Sequence, residues 1–162
     1  MPRRAHLTGA RALGLLLCGL VLSACGSNAV HIDTFRVTAA GHEACPALLG
    51  SLPTRVADQP RRRTTGSTFG AAWGKAAIVL RCGVGKPEHY DRFAACQRAN
   101  GVDWFVPESI IEDQGADVVM TTIGRSPAVE VVVPASYRPS TAAMVDLATA
   151  IKQHTREVAP CS

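Results

Sequence analysis

At 162 residues the chain holds one domain plus accessories, with no internal repeat, no low-complexity tract and no second domain. Its formal charge of +4 belongs largely to the first residues: with Arg3, Arg4 and Arg11 set aside, 14 basic residues face 13 acidic ones, a net charge near +1. That balance gives no global field to gather nucleic acid.

The first 24 residues read as a leader. Arg3, Arg4 and Arg11 form a positive segment, and Leu13 to Leu22 an apolar run. The run is too short to cross about 30 Å of hydrocarbon, which makes residues 1–24 a signal peptide. Leu22-Ser23-Ala24-Cys25 follows, small residues and then a cysteine directly after the cleavage point. This is the bacterial lipobox pattern, in which the Cys25 thiol takes a diacylglyceryl group. Two acyl chains, at about 0.8 kcal/mol per buried methylene, hold a protein stably on a bilayer. The expectation is lipidation at Cys25, residues 25–37 as a tether and extended segment, and a single domain over 38–162. The protein would sit on the extracytoplasmic side of the cell membrane, with the lipid bilayer as its first partner.

Beyond the tether, Val30 to Val37 reads as extended. Cys45, Leu48, Leu49 and Leu52 recur at helical spacing, and Pro46 is tolerated only in a first turn, so a short helix is expected from about Ala44 to Pro53. Thr54 to Ala57 reads as a short strand, Asp58-Gln59-Pro60 as a turn, and Arg61 to Thr65 as a charged edge strand. Phe69 to Trp73 and Ala76 to Cys82 follow as strands. The second lies in the longest β-branched apolar run of the middle chain and is the expected centre of the fold. A helical turn is expected around His89 to Phe93. Cys96 to Ala99 and Val102 to Val106 flank Asn100-Gly101, whose residue types suit a type I′ hairpin turn. Pro107 to Gly115 reads as a polar loop, and Asp117 to Ile123 and Ala128 to Val133 as two more strands. Ser140 can cap a last helix carrying Met144, Leu147, Ala148 and Ile151 on one face. These elements predict an α+β fold: a mainly antiparallel sheet of about five strands, with the N-terminal short helix and the C-terminal helix packed on one face.

Cys45, Cys82, Cys96 and Cys161 remain besides Cys25, an even number in an exported chain, so two disulfides are expected. Four cysteines allow three connectivities, and their spacing chooses none. A zinc site would need paired spacing that is absent. His31, His42, His89 and His154 are scattered and read as surface residues. No nucleophile–base arrangement and no phosphate-cradling loop is legible, so no catalytic residue and no cofactor is implied.

The segments Cys45…Leu48…Leu52-Pro53, Arg62-Arg63, Trp73-Gly74, Leu80-Arg81-Cys82-Gly83-Val84 with Pro87, Gly101-Val102-Asp103-Trp104, and Val131-Val132-Val133-Pro134…Tyr137 together resemble the DUF3515 family of actinobacterial exported or membrane-associated proteins. The resemblance covers about residues 30 to 155 and implies compartment and architecture but no activity. It couples Cys45 with Cys82, which leaves Cys96 for Cys161. Arg62, Trp73, Arg81, Asp103 and Trp104 concentrate in these segments and form the candidate binding set. Arg81, alone in its apolar strand, needs a partner, and Asp103 is an available one. The function expected from these residues is that of a non-catalytic envelope lipoprotein binding an envelope protein or an anionic envelope ligand. The alternative is an enzyme acting on an anionic cell-wall precursor.

Overall fold

The computed structural model describes residues 29–87, 90, 91, 94 and 96–159. In chain order they form β1 (Val30–Ile32), α1 (Ala39–Ser51), β2 (Arg55–Val56), β3 (Gln59–Arg62), β4 (Thr64–Gly66), β5 (Gly70–Trp73), β6 (Ile78–Val84), β7 (Cys96–Ala99), β8 (Val102–Phe105), α2 (Glu108–Glu112), β9 (Val118–Ile123), β10 (Arg125–Ser126), β11 (Ala128–Val133), α3 (Thr141–His154) and β12 (Arg156–Glu157). The fold is α+β. The sheet order is β2-β3-β5-β6-β11-β9-β8-β7, antiparallel throughout. Two meanders, β2 to β6 and β7 to β11, meet where their last strands pair. The sheet has eight strands rather than about five, because the short segments at both ends (β2, β3 and β7, two to four residues each) all join it.

Alternation along each strand gives the sheet two faces. Ile78, Leu80 and Cys82 point with Val129, Val131 and Val133 to one side, and all six are buried. Both long helices cover that side. Met144, Leu147, Ala148 and Ile151 of α3 are buried against it at the spacing expected for a helix laid on a sheet. Ser140 takes the N-cap position, but its side chain makes no capping bond.

α1 begins earlier than the spacing of its leucines suggests. Thr38 caps it, its Oγ1 accepting from the Gly41 N–H at 3.2 Å. Pro46 therefore lies inside the helix and not in its first turn. The extra turn is held from outside: the Thr38 N–H donates to the Gly83 carbonyl at 2.9 Å, and a Cβ on Gly41 would lie 2.6 Å from the Gly83 Cα. Backbones that close require glycine on both sides. The same approach brings Cys45 to Cys82, joined as a disulfide with a Cα–Cα distance of 5.7 Å.

Turns follow local chemistry. Asn100 and Gly101 both have positive φ, as a type I′ hairpin needs. Between β2 and β3 the same geometry falls on Ala57 and Asp58, an expensive place for alanine, and the Ala57 N–H is held by Asp146 of α3 at 2.8 Å. The turn is thus Ala57-Asp58, and Gln59 and Pro60 belong to β3. The β5–β6 turn runs to Ala77, so the central strand starts at Ile78 and not Ala76; the Lys75 and Ala76 N–H groups both donate to the Tyr137 hydroxyl at 3.1 Å. Pro107 starts the five-residue helix α2 inside the expected polar loop. The helical turn expected around His89 to Phe93 lies for the most part outside the described residues, as do the leader and Cys25.

On the chain-entropy account, closing the 37-residue separation between Cys45 and Cys82 contributes about 4 kcal/mol. Replacing both cysteines by serine should lower the unfolding free energy by about that amount in denaturant titration. A loss under about 1 kcal/mol would mean that α1 is held by the Gly41–Gly83 contact without the bond.

Candidate functional site

The five candidate residues separate by strand parity. Trp73 and Trp104 lie on the helix-covered face and are fully buried. The Trp73 indole donates to the Pro53 carbonyl at 3.0 Å, and the Arg61 guanidinium stacks 5.6 Å from its ring. That guanidinium also donates to the Leu49 and Leu52 carbonyls at the C-terminal end of α1, where a positive charge is favoured. The Trp104 Nε1 is buried without a hydrogen-bond partner among the described residues. Neither indole forms a wall of an open site.

Arg62, Arg81 and Asp103 lie on the opposite face, on β3, β6 and β8. β11 and β9 stand between β6 and β8, so Arg81 and Asp103 are three strand spacings apart, about 14 Å. Asp103 therefore does not orient Arg81. The partner of Arg81 is Glu130, directly opposite on β11: the Arg81 Nε donates to Oε1 at 2.8 Å, and Nη2 meets the same oxygen. The Arg81 guanidinium also lies 5.6 Å from the Phe35 ring. Asp103 pairs instead with Arg98, its hairpin neighbour, through two bonds of 2.6 and 2.8 Å. The hydrogen bond to Asp103, and then the carboxylate's charge, raise the Arg98 pKa further. Arg62 donates to the Gly74 carbonyl at 2.8 Å.

Sequence reasoning missed Glu130 although a signal was present. Arg81 is the single charge in β6 (Ile-Val-Leu-Arg-Cys-Gly-Val), and Glu130 is the single charge in β11 (Ala-Val-Glu-Val-Val-Val). Opposite lone charges in two apolar strands could have been matched.

What lies open on this face is a strip between two covers. Ile32 lies over Gly70, and Phe35 over Arg81, from the N-terminal side. From the other side Tyr90 packs edge-on against Phe105, ring centres 5.4 Å apart. Between them run Val79, Val132 and Val119, side by side on β6, β11 and β9 and each half-buried, with the Arg81–Glu130 pair one row along. This is a shallow apolar surface with a neutralised charged rim.

A separate cavity of about 400 Å³ lies at the start of α3, lined by Gln97, Gln114, Arg138, Pro139, Ser140 and Thr141. The Arg138 guanidinium is committed to the Ile110, Asp113 and Ala116 carbonyls at 2.8 to 3.2 Å, fastening the α2–β9 loop. Among the described residues no group of three or more His, Cys, Asp or Glu could hold a metal ion. His31 and His42 are exposed; His89 lies outside the described residues. Cys96 is also disulfide-bonded, and its expected partner Cys161 lies outside the described residues.

A double-mutant cycle on unfolding free energy distinguishes the pairs. Arg81→Ala with Glu130→Ala should show a coupling of about 1 kcal/mol, the scale of a half-exposed ion pair. Arg81→Ala with Asp103→Ala should add without coupling; the reverse pattern would contradict the register.

No curated protein and no solved structure matches the chain. The family described as protein of unknown function, DUF3515, matches residues 10–160, the span that holds the disulfide, both meanders and both long helices. The chain belongs to the DUF3515 family.

Proposed function

We propose that the protein is a non-catalytic, lipid-anchored envelope protein that binds a membrane protein or another envelope component through the open strip of its sheet. The observation that carries the binding half is the strip itself: three partly exposed valines side by side on the sheet, between the covers made by Phe35 and Tyr90. A contiguous apolar row of this kind can serve as the centre of a binding surface when the surface around it contributes as well. The anchoring half rests on Leu22-Ser23-Ala24-Cys25. The Cys45–Cys82 bond supports it, since such bonds persist in oxidising compartments outside the cytoplasm. No helix among the described residues is long and apolar enough to cross a membrane. An enzyme acting on an anionic wall precursor is the weaker reading, because Arg138, the cation lining the α3 cavity, is spent on backbone carbonyls.

Cys25→Ala should abolish metabolic labelling with palmitate and move the protein out of the membrane fraction, or leave the precursor uncleaved; unchanged labelling would remove the anchor from the reading. A photoreactive residue at Val119 or Val132 should crosslink a defined partner in intact cells, whereas one at Val145, exposed on α3, should not. Adducts confined to Val145 would move the binding surface to the helix side.

A further inference from the structure

We infer that the corner formed by β1 and β4 rests on anionic phospholipid headgroups, so that the protein lies on the membrane in one orientation. The inference deepens the lipid-anchored reading and depends on it.

Chain length limits the geometry first. Gly26, Ser27, Asn28 and Ala29 are all that separate Cys25 from β1, whose first residue is already fixed: Val30 lies opposite Thr64, and its N–H donates to the Arg63 carbonyl at 2.9 Å. Five residue steps span at most about 17 Å. A domain of this size has a radius of gyration of about 14 Å and so a diameter of about 36 Å. The tether is shorter than the domain is wide, and the far side cannot turn to the bilayer.

Charge then selects within the reachable surface. The two segments that build this corner, residues 29–38 and 59–70, carry four arginines (Arg36, Arg61, Arg62 and Arg63) against one acid, Asp33. The two segments together are +3, and the rest of the chain after the leader is −2; Arg61 points to the helix-covered side, which leaves Arg36, Arg62 and Arg63 against Asp33 at the corner, a charge of +2. Asp33 is itself approached by His31 at 3.6 Å. The three consecutive arginines have different fates. Arg61 is spent on the end of α1 and Arg62 on Gly74, but Arg63 is exposed with no side-chain partner among the described residues, beside the point where the chain enters the fold. Arg36 is likewise exposed and unpartnered among them. A surface of this charge, held within about a Debye length or two of a negatively charged leaflet, is drawn onto it.

The test uses the full-length protein extracted from membranes. Mass analysis of the Cys25 peptide comes first: if it lacks a diacylglyceryl group, the anchored reading and this inference fall together. The lipidated protein is then placed in nanodiscs of phosphatidylcholine alone, or with one third phosphatidylglycerol, each carrying a paramagnetic headgroup lipid. Amide signals of Thr34, Thr64 and Thr65 should broaden strongly in the anionic discs, and those of Gln97 and Gly101 should not. The effect should fade between 50 and 500 mM salt, conditions set on the Debye scale of about 14 down to 4 Å. Arg63→Gln, which removes no bond within the fold, should lower the docked-to-free ratio about fivefold. Uniform broadening, or broadening equal in both disc types, overturns the docked orientation while leaving the lipid anchor in place.

Discussion

The pairing of β6 with β11 is the contact on which the rest of the structure depends. Each meander alone is a four-stranded ribbon with one apolar face, and each places a long apolar strand at its end, where it would be an exposed edge. Joining those two edges buries both and makes one sheet wide enough for two helices. The seam is marked by chemistry on each side. On the helix side it is dry, with Leu80 against Val131 and Cys82 against Val129. On the other side Arg81 meets Glu130, the only charged residue of each strand, so a register slip would bring either charge against valine. Where the pairing shifts, between Ala128 and Val129, the Val129 N–H donates to the buried Thr122 Oγ1 at 2.9 Å, so the irregularity leaves no buried donor orphaned.

From that seam the helices follow. α1 is a poor helix by its own sequence, with Pro46 inside it and no acidic residue in its first turn. It is held by its contacts: the Gly41–Gly83 approach, the Thr38 bonds, the Cys45–Cys82 bond, and Arg61 on its last carbonyls. α3 is the opposite case, a helix with a strong apolar stripe that would form against any suitable sheet. This difference explains why the sequence showed the start and the apolar face of α3, though it carried the helix on toward Cys161 past its end at His154, and missed the first turn of α1. Periodicity reports residues that pack through side chains, whereas the first turn of α1 packs through two glycine backbones.

The same reasoning accounts for the candidate residues. The strands that became β6 and β11 were legible as apolar runs, and the buried face of α3 came out as its spacing required. The Cys45–Cys82 pairing came from the family resemblance, not from spacing. The partners of Arg81 and Asp103 did not come out, because pairing depends on which strands are neighbours. Sequence order places β7 and β8 after β6, yet β11 crosses back to lie beside it. Trp104 stands beside Asp103 in sequence and points away from it in space, since adjacent strand residues face opposite sides, whereas Trp73 meets an arginine only across strands, in Arg61 on the helix-covered face. A tryptophan next to a charged residue in a strand is thus a poor signal for a shared site; one two residues away would have been a better one.

On the proposed reading, a shallow strip is enough for binding. A partner in the same bilayer is confined with the domain to a thin layer, and linkage through the membrane raises its effective concentration to the millimolar scale familiar from short tethers. An interface of millimolar intrinsic affinity, about 4 kcal/mol, is then substantially occupied. Covering the exposed remainder of three valines, each at most about one-third exposed, supplies at most about 2–3 kcal/mol before the costs of association, so neighbouring surface must add to it; the Arg81–Glu130 pair, already neutralised, adds no unpaired charge to desolvate. A deep pocket would be needed only for a ligand that must be captured from solution. On that reading, the partly open valines, the mutual neutralisation of the nearby charges and the short tether suit weak recognition of something already held at the membrane.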